Sequence, residues 1–394
     1  MTFLTSLRLD GLLSFAPGAD AIPLTPLNVL IGPNASGKSN LIEAIELLRA
    51  TPTAFATAIR DGGGTREWIW KGERGTGYAG IEALIRGSSP VPDMLYHLSF
   101  TASGQRTEVL NEALEEIKKR RSTAQDVISY YRFQSGRPTI NVREVGKQGW
   151  TERHLDRQSL VPDESILSQR KDPDLYPELT WVGRQFGRIQ TFREWSFGRY
   201  ASLRQPQPAD LPGDELLLDS RNLGLILNQL EHTDAGPELN RLLGRFLPRY
   251  QRVTTLIQGG TVQFYLHEKG LKAPIPATRL SDGTIRFVAM LALLLSPTPP
   301  PLICMEEPEL GQHPDALAML AELVVAASQR SQLIVTTHSE ALVSALSEEA
   351  DSVLVCEYLG GTVLRRVESG KLQHWLEKYR LGEIWRIGEL GGNP

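Results

Sequence analysis

The pattern of apolar positions divides the chain into stretches with different rhythms. Residues 4–9 and 13–15 read as two short strands, a proline-marked turn follows, and Leu27, Val29, Leu30 and Ile31 form an apolar strand interrupted only by Asn28. A glycine-rich loop comes next. After it Leu41, Ile42, Ala44, Ile45, Leu47 and Leu48 recur at helical spacing, so the local order is strand, loop, helix. From about 51 to 145, short alternating segments such as LYHLSF, TEVLNEALEEI and ISYYRF predict an antiparallel lobe. The stretch 163–250 is more helical, with clear periodicity over 223–230 and 239–246, and two strands are expected at 252–257 and 261–267.

The last third alternates the two rhythms. Helices are expected at 282–295, 314–328 and 339–346, and strands at 302–306, 332–336 and 352–358, an order that specifies a parallel sheet covered by helices. The first strand, loop and helix belong to the same pattern but lie far upstream. The expected fold is therefore α/β with a mixed or parallel sheet. Its core is split between 1–50 and 270–394, around an antiparallel β-rich lobe at 51–150 and a mostly helical insertion at 151–269.

Composition adds limits to this picture. Forty-two basic residues face 46 acidic ones, a net charge of −4, so no global field draws the chain onto nucleic acid or an anionic membrane. The longest apolar run, 287–295, is far shorter than the roughly 20 residues of a membrane span. The first residues lack a signal-peptide layout, and a cytoplasmic location is expected. The two cysteines, Cys304 and Cys356, fall inside expected buried strands and read as packing residues.

Four segments carry chemistry. Gly32, Pro33, Asn34, Ala35, Ser36, Gly37, Lys38 and Ser39 fit G-x-x-x-x-G-K-[ST] in full, followed by Asn40. In such a loop backbone N–H groups approach phosphate oxygens, the lysine reaches the terminal phosphates, and the serine hydroxyl ligates Mg²⁺. The strand Leu302-Ile-Cys-Met ends in Glu306 and Glu307. Alone this is a solvated turn, but beside a P-loop the first carboxylate holds Mg²⁺ and the second orients the attacking water. Ser281, Asp282, Gly283 and Thr284 open a strongly apolar helix, either as a plain N-cap or as an anion cradle for a phosphate bound elsewhere. His338 ends another strand, where an imidazole reaches a terminal phosphate or the attacking water.

In this order and spacing, the four segments resemble the ABC ATPase heads of SMC, RecF and the overcoming-lysogenization-defect nucleases, over roughly 1–50 and 270–360. The resemblance implies an ABC-type P-loop NTPase head using ATP and Mg²⁺. Residues 32–39 correspond to Walker A, and 281–284 to the signature. Glu306 corresponds to the Mg²⁺ carboxylate and Glu307 to the catalytic glutamate. Residues 309–314 correspond to the D-loop, His338 to the switch histidine, and Gln169 is the candidate Q-loop glutamine, a cofactor and metal contact. In that family the signature of one subunit contacts the nucleotide of the other, so an ATP-dependent homodimer is implied. Two departures stand out: Glu306 replaces the usual aspartate, and Asp282 and Thr284 replace the usual glycine and glutamine or glutamate. The carboxylate at 282 must point away from phosphate or be paired.

No stretch between 51 and 270 sustains a coiled-coil heptad, and the residues after His338 carry no aspartate-x-aspartate pair of a TOPRIM nuclease. The expected partner is therefore a separately encoded effector, in DNA repair or antiphage defence. Arg184, Arg188, Arg193, Arg199 and Arg204, interleaved with Phe186, Phe192, Trp195, Phe197 and Tyr200 and opposed by Glu194, are the candidate DNA contact, a mixture able to track a phosphate backbone and stack on bases. The favoured reading of the same residues is the plainer one, arginine paired with acids over an aromatic core. Trp68 and Trp70 read as core residues. A regulatory ATPase acting only on a protein is the alternative function. A transporter subunit fits less well, because its signature lies much closer to Walker A than Ser281 lies to Ser39.

Overall fold

The computed structural model describes residues 2–73, 75–117, 128–143, 149–193, 195 and 197–392. A mixed sheet forms its centre. Gln190–Phe192, Leu302–Glu306, Gln332–Thr336, Leu27–Ile31 and Val353–Tyr358 run parallel in that spatial order, and Thr362–Arg366 closes one side antiparallel to its neighbour.

The central strands are mostly apolar because both faces are covered. Alternation sends their side chains to two different cores. Val29, Ile31, Ile303, Met305, Leu333, Val335, Val353 and Val355 pack on one side with the helices Asp282–Leu294 and Pro314–Ser328. Leu30, Leu302, Cys304, Ile334 and Leu354 pack on the other with the helix Lys38–Ala50. That second core is closed by an eight-stranded antiparallel sheet running from Ile22–Pro23 and Leu4–Asp10 through Tyr78–Ile85 to Trp150–His154. A smaller sheet holds Tyr250–Gln258 and Thr261–Glu268 as a hairpin against the helix Leu223–Glu231.

The elements of the last third stand where periodicity predicts them, with Leu302–Glu306, Pro314–Ser328 and Gln332–Thr336 at the expected bounds. The expected strand at 13–15 is not one. Leu12 makes an isolated bridge to Ile69, and Leu13 turns the chain with φ 53°. Sheet membership also crosses the sequence divisions: Leu4–Asp10 pairs with Tyr78–Ile85 in the antiparallel sheet, whereas Gln190–Phe192, from within 151–269, edges the parallel one. Among the described residues no helix is long and apolar enough to cross a membrane. At the tail, Trp385 Nε1 donates to the Gly392 carbonyl at 2.6 Å, and residues 393–394 lie outside the described residues.

One buried side chain fastens the two main sheets. Gln332 Oε1 accepts from the N–H groups of Phe3 (3.1 Å) and Leu4 (2.8 Å), and its Nε2 donates to the carbonyls of Leu4 (2.7 Å) and Thr25 (3.0 Å). Gln332→Leu fills similar space but orphans two buried N–H groups. The expected loss is about 2–4 kcal/mol, read as a lower urea midpoint with the secondary-structure signal retained.

Candidate functional site

Register brings the carboxyl ends of the parallel strands together. Glu306 pairs with Thr336, Thr336 with Leu30, and Phe192 with Met305, so the residues that follow each strand emerge along one margin, where ligands of open α/β sheets bind. The P-loop leaves Leu27–Ile31 at that margin. Gly37 precedes the helix with φ 104°, and a β-carbon there would collide with Thr362; Gly32, at φ 145°, lies against the Cys356 carbonyl. Side chains at either position would push the loop off the two strands that brace it.

A cleft of about 360 Å³ opens there, lined by the P-loop residues Asn34, Ala35, Gly37, Lys38, Ser39 and Asn40 and by Glu306, Glu307, Thr336 and His338. The Lys38 ammonium is buried and donates to the carbonyls of Gly32 and Pro33, both at 2.8 Å. Burial lowers its pKa, opposed by the nearby Cys356, Glu307 and Glu306. The Ser39 hydroxyl donates to Glu306 Oε1. These are hard oxygen donors of the kind Mg²⁺ takes, and the extra methylene of glutamate does not keep the carboxylate from the serine. The Ser36 hydroxyl, also in the loop, is buried without a protein partner, a polar atom suited to a phosphate oxygen.

Glu307 adopts φ 45°, unusual for a residue with a β-carbon, while its N–H donates to the Thr336 carbonyl at 3.0 Å. This turn sets its carboxylate 3.6 Å from His338 Nε2. Glu309 fixes the histidine in turn: its Oε1 accepts from the Thr337 hydroxyl and from the His338 N–H at 3.0 Å. The structure thus brings Lys38, Ser39, Glu306, Glu307 and His338 together in one cleft.

The signature loop stands apart from that cleft. Ser281 and Asp282 are exposed, and the Ser281 hydroxyl caps the helix by accepting from the Thr284 N–H at 3.1 Å. Gly283 passes close to Gly311, and its carbonyl accepts from Gln312 Nε2 at 3.2 Å, which joins the signature to the D-loop. Asp282 is paired, as a carboxylate there requires, with the guanidinium of Arg204.

Two expectations change, those for Gln169 and Trp70. Gln169 does not line the cleft. Its amide group is engaged by the backbone of residues 161–165, and the helix Ile166–Gln169 is pinned to the antiparallel sheet by Glu112, which accepts from the Ile166 N–H at 2.8 Å and from the Ser165 hydroxyl. Burial pushes the Glu112 carboxyl up to about 7. The arginines of 184–204 follow the plainer of their two readings in part: Arg188 pairs with Glu215, Arg193 with Glu46 and Glu306, and buried Arg204 with Asp282, while Arg184 and Arg199 are exposed. Glu194 lies outside the described residues. The tryptophans divide. Trp68 is core, donating to the Ile59 carbonyl at 3.1 Å, but Trp70 lines a neighbouring cleft of about 400 Å³ with Leu13, Ser14, Asn40, Lys71 and Tyr358.

The sequence reading missed Arg193, Ser14 and Thr362. Ser14 accepts from Asn40 Nδ2 at 2.7 Å and meets Thr362 at 2.6 Å, and Thr362 donates to the Ser36 carbonyl at 2.9 Å. Arg193 directly follows the strand Gln190–Phe192 at the same margin as Glu306, but with Gln190 and Thr191 polar no apolar run marked that strand in the sequence.

Such a P-loop, with paired carboxylates and a histidine on neighbouring strand ends and a serine-capped signature apart from them, is that of an ABC/SMC-like ATPase head. Residues 27–344 match the family described as "AAA domain, putative AbiEii toxin, Type IV TA system", and the chain belongs to it. A curated relative, the Old nuclease of Escherichia phage P2, is 25% identical over 166 residues, which is 37% of this chain and 28% of that protein's length. Two solved structures share the fold. A Smc head bound to the C-winged helix domain of ScpA has a TM-score of 0.60 at 14% identity, covering 94% of this chain and 99% of its own. A Smc head with an extended coiled coil, bound to the C-terminal domain of ScpA and derived from Pyrococcus furiosus, has a TM-score of 0.57 at 12% identity, covering 96% and 99%.

Because Glu309 holds both the His338 N–H and the hydroxyl of its neighbour Thr337, Glu309→Ala is expected to lower ATP turnover about tenfold to hundredfold while nucleotide binding changes little. Steady-state turnover beside equilibrium binding of a fluorescent ATP analogue separates the two.

Proposed function

We propose that this head binds ATP with Mg²⁺ and hydrolyses it when two copies meet head to head. The observation that carries the reading is the single cleft holding Lys38, Ser39, Glu306, Glu307 and His338, with the signature displayed outside it. Lys38 and the loop N–H groups take the terminal phosphates, and Ser39 with Glu306 holds the cation, whose charge offsets that of the phosphates. Glu307 orients water and accepts its proton, and His338 steadies that carboxylate from 3.6 Å. The cleft beside Asn40 receives the base, with Trp70 and Tyr358 as aromatic surfaces.

The exposure of Ser281 and Asp282 supports a role for the signature on a second copy, where it closes over a bound nucleotide. Glu307→Gln keeps the shape of the site but removes the base. It is expected to bind ATP and to accumulate as a dimer, measured by light scattering with and without nucleotide. A variant that binds ATP yet stays monomeric would falsify the pairing.

The switch so formed acts with a separately encoded effector, in DNA repair or antiphage defence. Similarity to part of a nuclease supports that setting. A DNA-linked role predicts that duplex DNA raises ATP turnover at low salt. The inward pairing of Arg188, Arg193 and Arg204 favours the second reading, regulation of a protein alone, and turnover that stays flat across the DNA titration would select it.

A further inference from the structure

Two of the positions where this chain departs from the motifs it resembles, Glu306 and Asp282, are both held by arginines from one stretch of the insertion. At one end, Arg193 Nε donates to Glu306 Oε2 at 3.2 Å, while the other oxygen of that carboxylate takes the Ser39 hydroxyl. Arg193 Nη1 donates to Glu46 at 3.0 Å, and Glu46 is itself fixed by the Thr191 hydroxyl at 2.7 Å. At the other end, Arg204 is buried and fully engaged. It donates to the carbonyls of Phe197 and Gly198 on its own stretch, to those of Ala277 and Leu280 leading into the signature, and to the Asp282 carboxylate.

Aromatic rings run between the two ends, along the wall of a cleft of about 730 Å³ that Arg193 and Glu306 also line. Trp195 stacks on Phe192 with ring centres 5.0 Å apart and lies 5.6 Å from Phe197. The Arg286 guanidinium, from the signature helix, sits 5.9 Å from the Trp195 ring and 5.7 Å from that of Phe197, and donates to the Leu310 carbonyl of the D-loop. Planar guanidinium forks have few alternative arrangements, and the ring stack gives a shift at one end a contiguous route to the other.

We infer that Arg193 and Arg204 are positioning residues of one strut, through which the cation-side carboxylate Glu306 and the signature loop around Asp282 are set together within a single subunit. A glutamate at 306 reaches further than aspartate, and Arg193 fixes where it stops. A carboxylate at 282 would repel a phosphate, and Arg204 both neutralises it and anchors the loop that bears it. Occupation of the P-loop cleft thereby bears on the signature before any second copy arrives. The inference takes its ligand from the ATP reading above but does not require the pairing of two copies.

The test uses the full chain, diluted until light scattering shows monomer, and a fluorescent ATP analogue titrated with Mg²⁺. Asp282 does not line the P-loop cleft, yet Asp282→Asn is expected to shift the Mg²⁺ concentration for half-maximal binding by about threefold or more, the scale of side-chain coupling. In an Arg193→Lys background, which keeps the charge but not the fork, the same substitution is expected to have about half that effect or less. An unshifted midpoint, or an undiminished shift in the second background, overturns the strut. Should Arg193→Lys not fold, Trp195→Phe, which shortens the stack, takes its place in the cycle. Amide hydrogen exchange gives a readout without nucleotide: Arg193→Lys is expected to speed exchange at residues 283–285, and unchanged exchange there also overturns the proposal. Loss of nucleotide binding by the unaltered chain, with the exchange effect present, would instead reject the ATP reading and leave the strut standing.

Discussion

The hydrogen bond from Ser39 to Glu306 joins the two halves of a split core. Ser39 comes from the first strand–loop–helix unit and Glu306 from the alternating region far downstream, and the two meet only because their strands share one parallel sheet with Gln332–Thr336 between them. The rest of the site follows from that constraint. Once the registers of those strands are fixed, Glu307 turns beneath Thr336, Glu309 reaches the Thr337 hydroxyl and the His338 N–H, and the histidine faces the carboxylate. Buried alternation on both faces makes a register slip costly, since a one-residue shift would exchange the two cores of every strand.

Much of this was legible in the chain because short-range patterns carry it. Walker A is contiguous, the strand at Leu302–Glu306 is apolar to its last residue, and the apolar helix Asp282–Leu294 announces its own start with Ser281. What escaped the sequence is what depends on contacts distant along the chain. Gln169 has the residue type expected near a cation, but buried Glu112 captures the start of its helix and holds it on another sheet. Arg193 and Arg204 looked like a phosphate-tracking surface because their acids, Glu46, Glu306 and Asp282, lie far away in sequence. Trp70 and Trp68 are indistinguishable by pattern. Only the fold shows that one faces the core and the other a cleft.

The insertion is thus part of the framework of the P-loop cleft and not merely attached to it. It supplies a strand to the central sheet, a counter-charge to Glu306 and the anchor of the loop around Asp282. Its remaining surface, including the hairpin Tyr250–Gln258 and Thr261–Glu268 with exposed Leu256 and Ile257, is free to vary with whatever the head works beside.

Gln190–Phe192 is the outermost strand on its side of the parallel sheet, and it covers the hydrogen-bonding edge of Leu302–Glu306. Deleting the insertion to obtain a minimal nucleotide-binding unit would bare a strand that is apolar up to Glu306, the kind of edge onto which other chains add. A trimmed protein of this type would therefore aggregate instead of behaving as a small ATPase. Shortening by evolution or by design has to begin elsewhere, in the outer strands of the antiparallel sheet.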